Sequence, residues 1–258
     1  MITIKSEREL DLMRKAGYIV MMALNKIEEI VAPGITTLEL DKAAEEVILK
    51  ANAIPSFKGV PCAYGGIDFP ASICASVNHE VIHGIPNDKP LQEGDIISID
   101  VGAVHDGYHG DAARTFEVGK VSPEAHRLVT VTRESFFKGI EMAREGMRIR
   151  DISRAVQDYV EKNGFSIVRD FVGHGIGTQM HEEPQIPNYV TRERGPRLQR
   201  GMTLAVEPMV NEGNWMVDVL QSNKWTVVTK DKKLSAHYEN TIAITGNEPE
   251  ILTEEVEI

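Results

Sequence analysis

Leu91-Gln-Glu-Gly-Asp-Ile-Ile-Ser-Ile-Asp100 and Leu198-Gln-Arg-Gly-Met-Thr-Leu-Ala-Val-Glu207 follow one pattern: Leu, Gln, Gly, an apolar run and a terminal carboxylate at the same spacing. A carboxylate ending an apolar strand is costly to bury unless something positive compensates it. Its occurrence in both copies suggests a metal site between two halves of one unit. The repeat extends outward in the same order. Gly34-Ile-Thr-Thr-Leu-Glu-Leu40 matches Gly146-Met-Arg-Ile-Arg-Asp-Ile152, and His83-Gly-Ile85 matches His174-Gly-Ile176. Gly110-Asp111 matches Tyr238-Glu239 with one residue of slippage. Two copies of about 110–120 residues are too few and too long for a solenoid. They predict a pseudo-twofold domain with its cleft on the axis.

The acids of both copies must meet, so the 258 residues are expected to form one catalytic domain, its halves running over about 1–120 and 121–250. The hydrophobic and charged content is ordinary for a globular enzyme. A net charge of −11 speaks against a general nucleic-acid binder. The charged N-terminus lacks the apolar core of a signal peptide, and no apolar stretch is long enough to span a bilayer. Two cysteines, Cys62 and Cys74, do not make a disulfide framework. A cytoplasmic location is expected.

Ser6 caps a predicted helix with apolar positions from Leu10 to Val31, which Pro33-Gly34 ends. A second helix is expected over about Leu38–Ala51. A third starts at Ser122-Pro123 and runs to about Arg144, and a fourth covers Asp151–Asn163. Predicted strands are Ile73–Val77, Ile96–Val104, Tyr108–Val118, Thr203–Val210, Trp225–Thr229 and Thr241–Thr245. Paired mostly through short turns, they give an α+β fold with a curved, largely antiparallel sheet and helices on one face.

Asp100 and Asp111 flank the turn signal His105-Asp106-Gly107. Whether His105-Asp106 or Asp106-Gly107 is the loop, both acids stay on one face, because the strand period is two. Like charges side by side destabilise a sheet, so either one acid holds a raised pKa or a cation is present. Glu207 and Glu239 bring the acids to four, which favours the cation. His174 adds a nitrogen ligand between glycines that let the backbone approach closely. Taken singly, each acid reads as a cap or surface group; the matched positions of all five decide otherwise. The set exceeds one tetrahedral zinc. Two ions about 3–4 Å apart fit, as Mn(II), Fe(II), Co(II) or Zn(II).

Asp100, Asp111, His174, Glu207 and Glu239 resemble the metal-binding motif of the methionine aminopeptidases, which have the pita-bread fold. Val81-Ile-His83-Gly-Ile-Pro86, His181-Glu-Glu-Pro184 and Ser235-Ala-His-Tyr-Glu239-Asn-Thr241 extend the resemblance over nearly the whole chain. It implies that Asp111 and Glu239 bridge two divalent metals, with Asp100 completing one site and His174 and Glu207 the other. It also implies that His83 and His181 are catalytic histidines rather than ligands. His83 is the repeat mate of His174, which independently places it near the axis. A hydroxide held by the ions would attack the first peptide carbonyl. His181 would stabilise the oxyanion, His83 would assist the leaving nitrogen, and Glu207 would double as proton shuttle.

By the same resemblance Phe69, Cys74 and Trp225 line an apolar pocket for methionine, with Cys62 and Met180 as further candidates. The stretch Cys62–Phe69 carries about one inserted residue relative to the commoner family pattern, which leaves Tyr64 without an assigned role. Proline-specific relatives share the five ligands but resemble longer chains with an extra N-terminal domain, and non-catalytic pita-bread modules have lost ligands. His174 and Glu207 are 33 residues apart, too close for the helical insertion of the second enzyme type. The short, bacterial-like first type is therefore expected: a monomer acting on nascent N-termini whose second residue is small, with no membrane or sequence-specific nucleic-acid partner. Arg192, Arg194, Arg197 and Arg200 are candidates for a transient ribosome contact.

Overall fold

The structure is a computed structural model and describes residues 1–254. The first copy of the repeat holds α1 (Glu7–Ile30), α2 (Thr37–Lys50), β1 (Ile54–Pro55), β2 (Ile73–Val77), β3 (Glu80–Ile82), β4 (Ile96–His105) and β5 (Tyr108–Glu117). The second begins with α3 (Pro123–Ile140), α4 (Ile149–Lys162), β6 (Ser166–Ile167), β7 (Gly173–Gly175), β8 (Glu182–Ile186) and β9 (Thr203–Val206). It continues with β10 (Met209–Asn211), β11 (Val217–Val219), β12 (Val227–Thr229), β13 (Ser235–His237), β14 (Glu239–Ala243) and β15 (Glu250–Ile251).

The helices start where their caps are. The Ser6 hydroxyl accepts from the Glu9 N–H, and the Glu9 carboxylate accepts from the Ser6 N–H. Thr36 and Glu39 repeat this box at α2, and the Asp151 carboxylate accepts from the Arg148 N–H at α4. Helix α3 ends four residues before the expected Arg144. Residues beyond Ile140 close tight turns instead, and the Arg144 guanidinium donates to the Glu141 carbonyl.

The main sheet runs β1-β4-β5-β14-β9-β7-β8, with β2 added on β4 and β15 on β14. Every pairing among the described residues is antiparallel. Short turns join fewer strands than the sequence suggests. Asp106-Gly107 makes the tight β4–β5 hairpin, but β5 pairs with β14 from the far end of the chain. β4 and β9 are the outer neighbours of that pair. The copies also share backbone contacts. The Gly34 N–H donates to the Leu91 carbonyl and the Gly146 N–H to the Leu198 carbonyl. The Leu91 N–H donates to the Ile35 carbonyl and the Leu198 N–H to the Met147 carbonyl.

Each copy packs its helices against its own half of the sheet. Leu24, Ile27, Leu40 and Ile48 meet Ile97, Ile99 and Val101 in one core. Leu128, Phe136, Ile152 and Val156 meet Leu204, Val206 and Ile242 in the other. The expected single strand Thr203–Val210 is instead two. Pro208 has no N–H to continue the ladder, so β9 stays in the main sheet while β10 joins β13 and β6. The last predicted strand starts two residues early, at Glu239, and Trp225 precedes its strand rather than opening it.

Candidate metal centre and substrate cavity

Four carboxylates reach one point from strands that the fold makes neighbours. Asp100 lies opposite Ala113, and Asp111 opposite Gly102, so the two acids sit diagonally on one face of the β4–β5 hairpin. Glu239 also lies opposite Ala113, from the β14 side. Glu207 follows the end of β9, and its carbonyl accepts from the Asn188 side-chain amide. His174, in β7, lies opposite Ala205 of β9. Its Nδ1 lies 2.9 Å from the Gly175 carbonyl. An N–H donated there leaves the Nε2 lone pair toward the acids. That Nε2 is 3.5 Å from Glu207 and 3.7 Å from Asp111.

Asp111, His174, Glu207 and Glu239 are buried and Asp100 is half-buried. Among the described residues no lysine or arginine forms an ion pair with the four acids; the rings of His174 and His237 lie within 4.0 Å of Asp111, Glu207 and Glu239. Arg114 lies close by, but its guanidinium donates to the Glu239 carbonyl, the Ala113 carbonyl and the Asn240 side chain. Burial pushes the Asp100 carboxyl up to about 7. Burial, then Asp100 and Glu207, push Asp111 well above the carboxylate range. Burial and neighbouring acids do the same to Glu207 and Glu239. Burial pulls His174 down to about 4, so its ring is neutral at pH 7. Asp100 Oδ1, Asp111 Oδ1 and Glu239 Oε1 are buried with no hydrogen-bond donor. Each such acceptor costs about 1–3 kcal/mol.

A cavity of about 190 Å³ opens onto the acids, and Asp100, Asp111, His174, Glu207 and Glu239 line its floor. His83, His181, Phe69, Cys74, Trp225 and Met180 line its walls. His83 has a backbone φ of 57°, uncommon for a non-glycine residue. Its ring packs edge-on against Phe171 and Trp225. Burial pulls its pKa down to about 4. His181 sits at the mouth, its ring 4.4 Å from that of His174, and burial lowers its pKa too. Phe69 and Trp225 meet edge to face at 5.1 Å, and the Trp225 indole N–H donates to the Ile67 carbonyl.

Cys62 and Tyr64 do not line the cavity. The Cys62 thiol reaches the Lys224 carbonyl, and Tyr64 is 61% exposed. Both cysteines are free thiols. Phe57, Val60, Ile82, Phe171 and Val172 complete the walls; they come from loops and short strands with no periodicity to announce them.

The model of metallopeptidase family M24 matches residues 11–246. The chain belongs to metallopeptidase family M24. A methionine aminopeptidase of Clostridium acetobutylicum is 59% identical to it, over 98% of this chain and 99% of that one. The crystal structure of methionine aminopeptidase from Rickettsia prowazekii superposes with a TM-score of 0.92 at 44% identity, covering 98% of this chain and 100% of that one. A prolidase from Pyrococcus furiosus matches at a TM-score of 0.77 and 23% identity over 98% of this chain and 66% of that one, a likeness of fold alone. The fold is the pita-bread fold of both groups. As an M24 metallopeptidase the chain uses divalent metal, and its centre fits such an ion: oxygen-rich donors, unbalanced charge and carboxylate oxygens without donors. Ligand atoms of Asp111, His174 and Glu239 lie within 4.8 Å of one another, and so do those of Asp100, His237 and Glu239. His237 is absent from the ligands that the sequence suggests. A signal for it exists: His109 precedes Asp111 by two residues, as His237 precedes Glu239.

No helix among the described residues is long and apolar enough to cross a membrane.

Proposed function

We propose that this M24 peptidase removes the N-terminal methionine from peptides and nascent proteins whose second residue is small. The observation that carries the reading is the cavity itself. An apolar slot of Phe69, Cys74 and Trp225 ends on four carboxylates and three histidines. Asp111 and Glu239 would bridge two divalent ions, Asp100 would complete one site, and His174 with Glu207 the other. Bound there, the ions would supply a water acidic enough to ionise at neutral pH and would polarise the peptide carbonyl.

The rest of the work falls to side chains. The methionine thioether would lie against Phe69 and Trp225, which excludes water and favours an unbranched apolar chain. The free α-amino group would lie toward Asp100, so the cut is measured from the chain end. His181, neutral at pH 7, would donate a hydrogen bond to the oxygen that gains charge. His83, also neutral, would hydrogen-bond the departing nitrogen. Glu207 would carry the proton from the attacking water to that nitrogen.

Two further readings complete the proposal. A monomer in the cytoplasm fits the free thiols. The exposed loop holding Arg192, Arg194, Arg197 and Arg200 is the proposed surface for a transient ribosome contact. Arg197 donates to the Gly146 carbonyl and Arg200 pairs with Glu7, so Arg192 and Arg194 would carry most of it. Neutralising all four should reduce co-sedimentation with ribosomes; an unchanged pellet removes this contact.

The decisive experiment uses metal-stripped protein titrated with Mn(II), Fe(II), Co(II) and Zn(II). Release of Met from Met-Ala-Ser and of Ala from Ala-Pro-Ser is followed side by side. Metal-dependent loss of methionine alone is the expected result. Cleavage before proline would assign the chain to proline-specific chemistry.

A further inference from the structure

We infer that His237 supplies a ring nitrogen to the Asp100 side of the metal centre, making that side a mixed nitrogen–oxygen site. The inference rests on the two-ion reading above and extends it by one ligand. His237 ends β13, two residues before Glu239. Its side chain is 2% exposed, and its Nε2 is buried without a hydrogen-bond partner. That nitrogen lies 3.7 Å from Glu239 Oε2 and 4.0 Å from Glu207 Oε2. Both separations exceed a hydrogen bond. The Glu239 separation suits two donors on one ion, each standing roughly 2 Å from it, whereas Glu207 belongs to the His174 side. An Asp100 oxygen completes the group.

The ring is held there by its backbone. The His237 N–H donates to Thr115 Oγ1, the Thr115 hydroxyl donates to the His237 carbonyl, and Met209 pairs across from β10. The repeat supplies a contrast. His109, the mate of His237, has its Nδ1 2.8 Å from the Ser56 hydroxyl. In the first copy the imidazole has a protein partner; in the second it faces acids with its Nε2 unpaired. Each side of the centre then holds one imidazole, His174 or His237. Replacing an all-carboxylate side by a mixed one moves its preference from Mn(II) toward Fe(II), Co(II) and Zn(II).

The test is nitrogen-15 NMR of the full chain, labelled at histidine rings and loaded with cadmium-113, because only a coordinated nitrogen is split by the metal. Signals are assigned from His174→Gln and His237→Gln. Splitting at both histidines is the expected result. Splitting at His174 alone overturns the inference and leaves the two-ion reading standing. Cadmium bound with neither ring split overturns both. His237→Gln should also weaken the second equivalent of metal by at least the ~10–100-fold that loss of an outer-shell partner costs, and raise its Mn(II)-to-Co(II) affinity ratio. Should that variant not fold, the wild-type spectrum decides.

Discussion

His181 presents its imidazole at the cavity mouth from a tethered stretch of backbone. The next residue, Glu182, accepts hydrogen bonds from the Lys5 ammonium at 2.7 Å and the Thr3 hydroxyl at 2.6 Å. Burial raises the Glu182 pKa, but these partners outweigh it and hold the carboxyl below its ordinary range. The N-terminal segment thus pins the loop that presents His181. Substituting His181→Ala should cut kcat by about 10²–10³-fold, the cost of one oxyanion donor. The prediction is abandoned if steady-state kinetics show only a higher KM. Lys5→Met should act through position, lowering kcat by up to about 10²-fold for a shift of roughly 1 Å. It should also destabilise the fold by removing the cation beside Glu182, which keeps only the Thr3 hydroxyl and the Gln179 N–H, and Lys5→Arg should restore part of both losses. At this scale much of the cavity is legible in the amino-acid sequence. The four acids and His174 stand out because each occupies a matched position in a repeat, and a burial cost repeated twice needs a common cause. His237 escapes notice because its mate, His109, differs in partner rather than in sequence. Cys62 falls outside the cavity, and Tyr64 beside it, in a loop that carries no periodic signal to fix which side chains turn inward.

Helix α1 lies against β5 through glycines. A Cβ on Gly110 would stand 2.7 Å from the Gly17 nitrogen and 2.8 Å from the Ala16 carbonyl carbon. A Cβ on Gly17 would stand 2.0 Å from the Leu252 carbonyl oxygen. Gly110→Ala should therefore push the helix off the strand that carries Asp111, costing about 1–3 kcal/mol. In a chain of this size that is about 2–4 °C of thermal midpoint per kcal/mol. An unchanged midpoint in calorimetry would show that the helix yields freely. Long elements are legible because they signal themselves: α1 by a cap and a long run of apolar spacing, β4 and β5 by apolar runs on either side of the turn signal His105-Asp106-Gly107. Strands of two or three residues such as β6, β7 and β13 are too short to display a period. Their existence follows from tertiary pairing alone. The break at Glu207-Pro208 has a local cause in plain view, since proline cannot donate to a ladder; the apolar run on both sides masks it.

The fold sets how stability depends on pH, because it gathers the acids and the imidazoles into one cluster. In metal-free protein burial pushes the Asp100 carboxyl up to about 7, and burial with neighbouring acids raises Asp111, Glu207 and Glu239 well above the ordinary carboxylate range. In the unfolded chain all four ionise near pH 4. The folded state therefore binds more protons above pH 4, and its stability falls as pH rises through the folded pKa values. His83 and His174, pulled down to about 4, and His237, pulled down to about 3, work in the opposite sense. Their cost grows as pH falls below the ordinary histidine value near 6.5 and vanishes above it. Between pH 4 and 6.5 the two sets oppose each other. Above 6.5 only the acids remain, and the metal-free midpoint should decline steadily. A divalent ion reverses this part of the balance, because it competes with protons for the same oxygens and binds the folded state alone. The gap in thermal midpoint between Co(II)-loaded and chelator-treated protein should widen from pH 6.5 to 8.5. Parallel curves over that range would mean that the acids are not where the metal acts on stability.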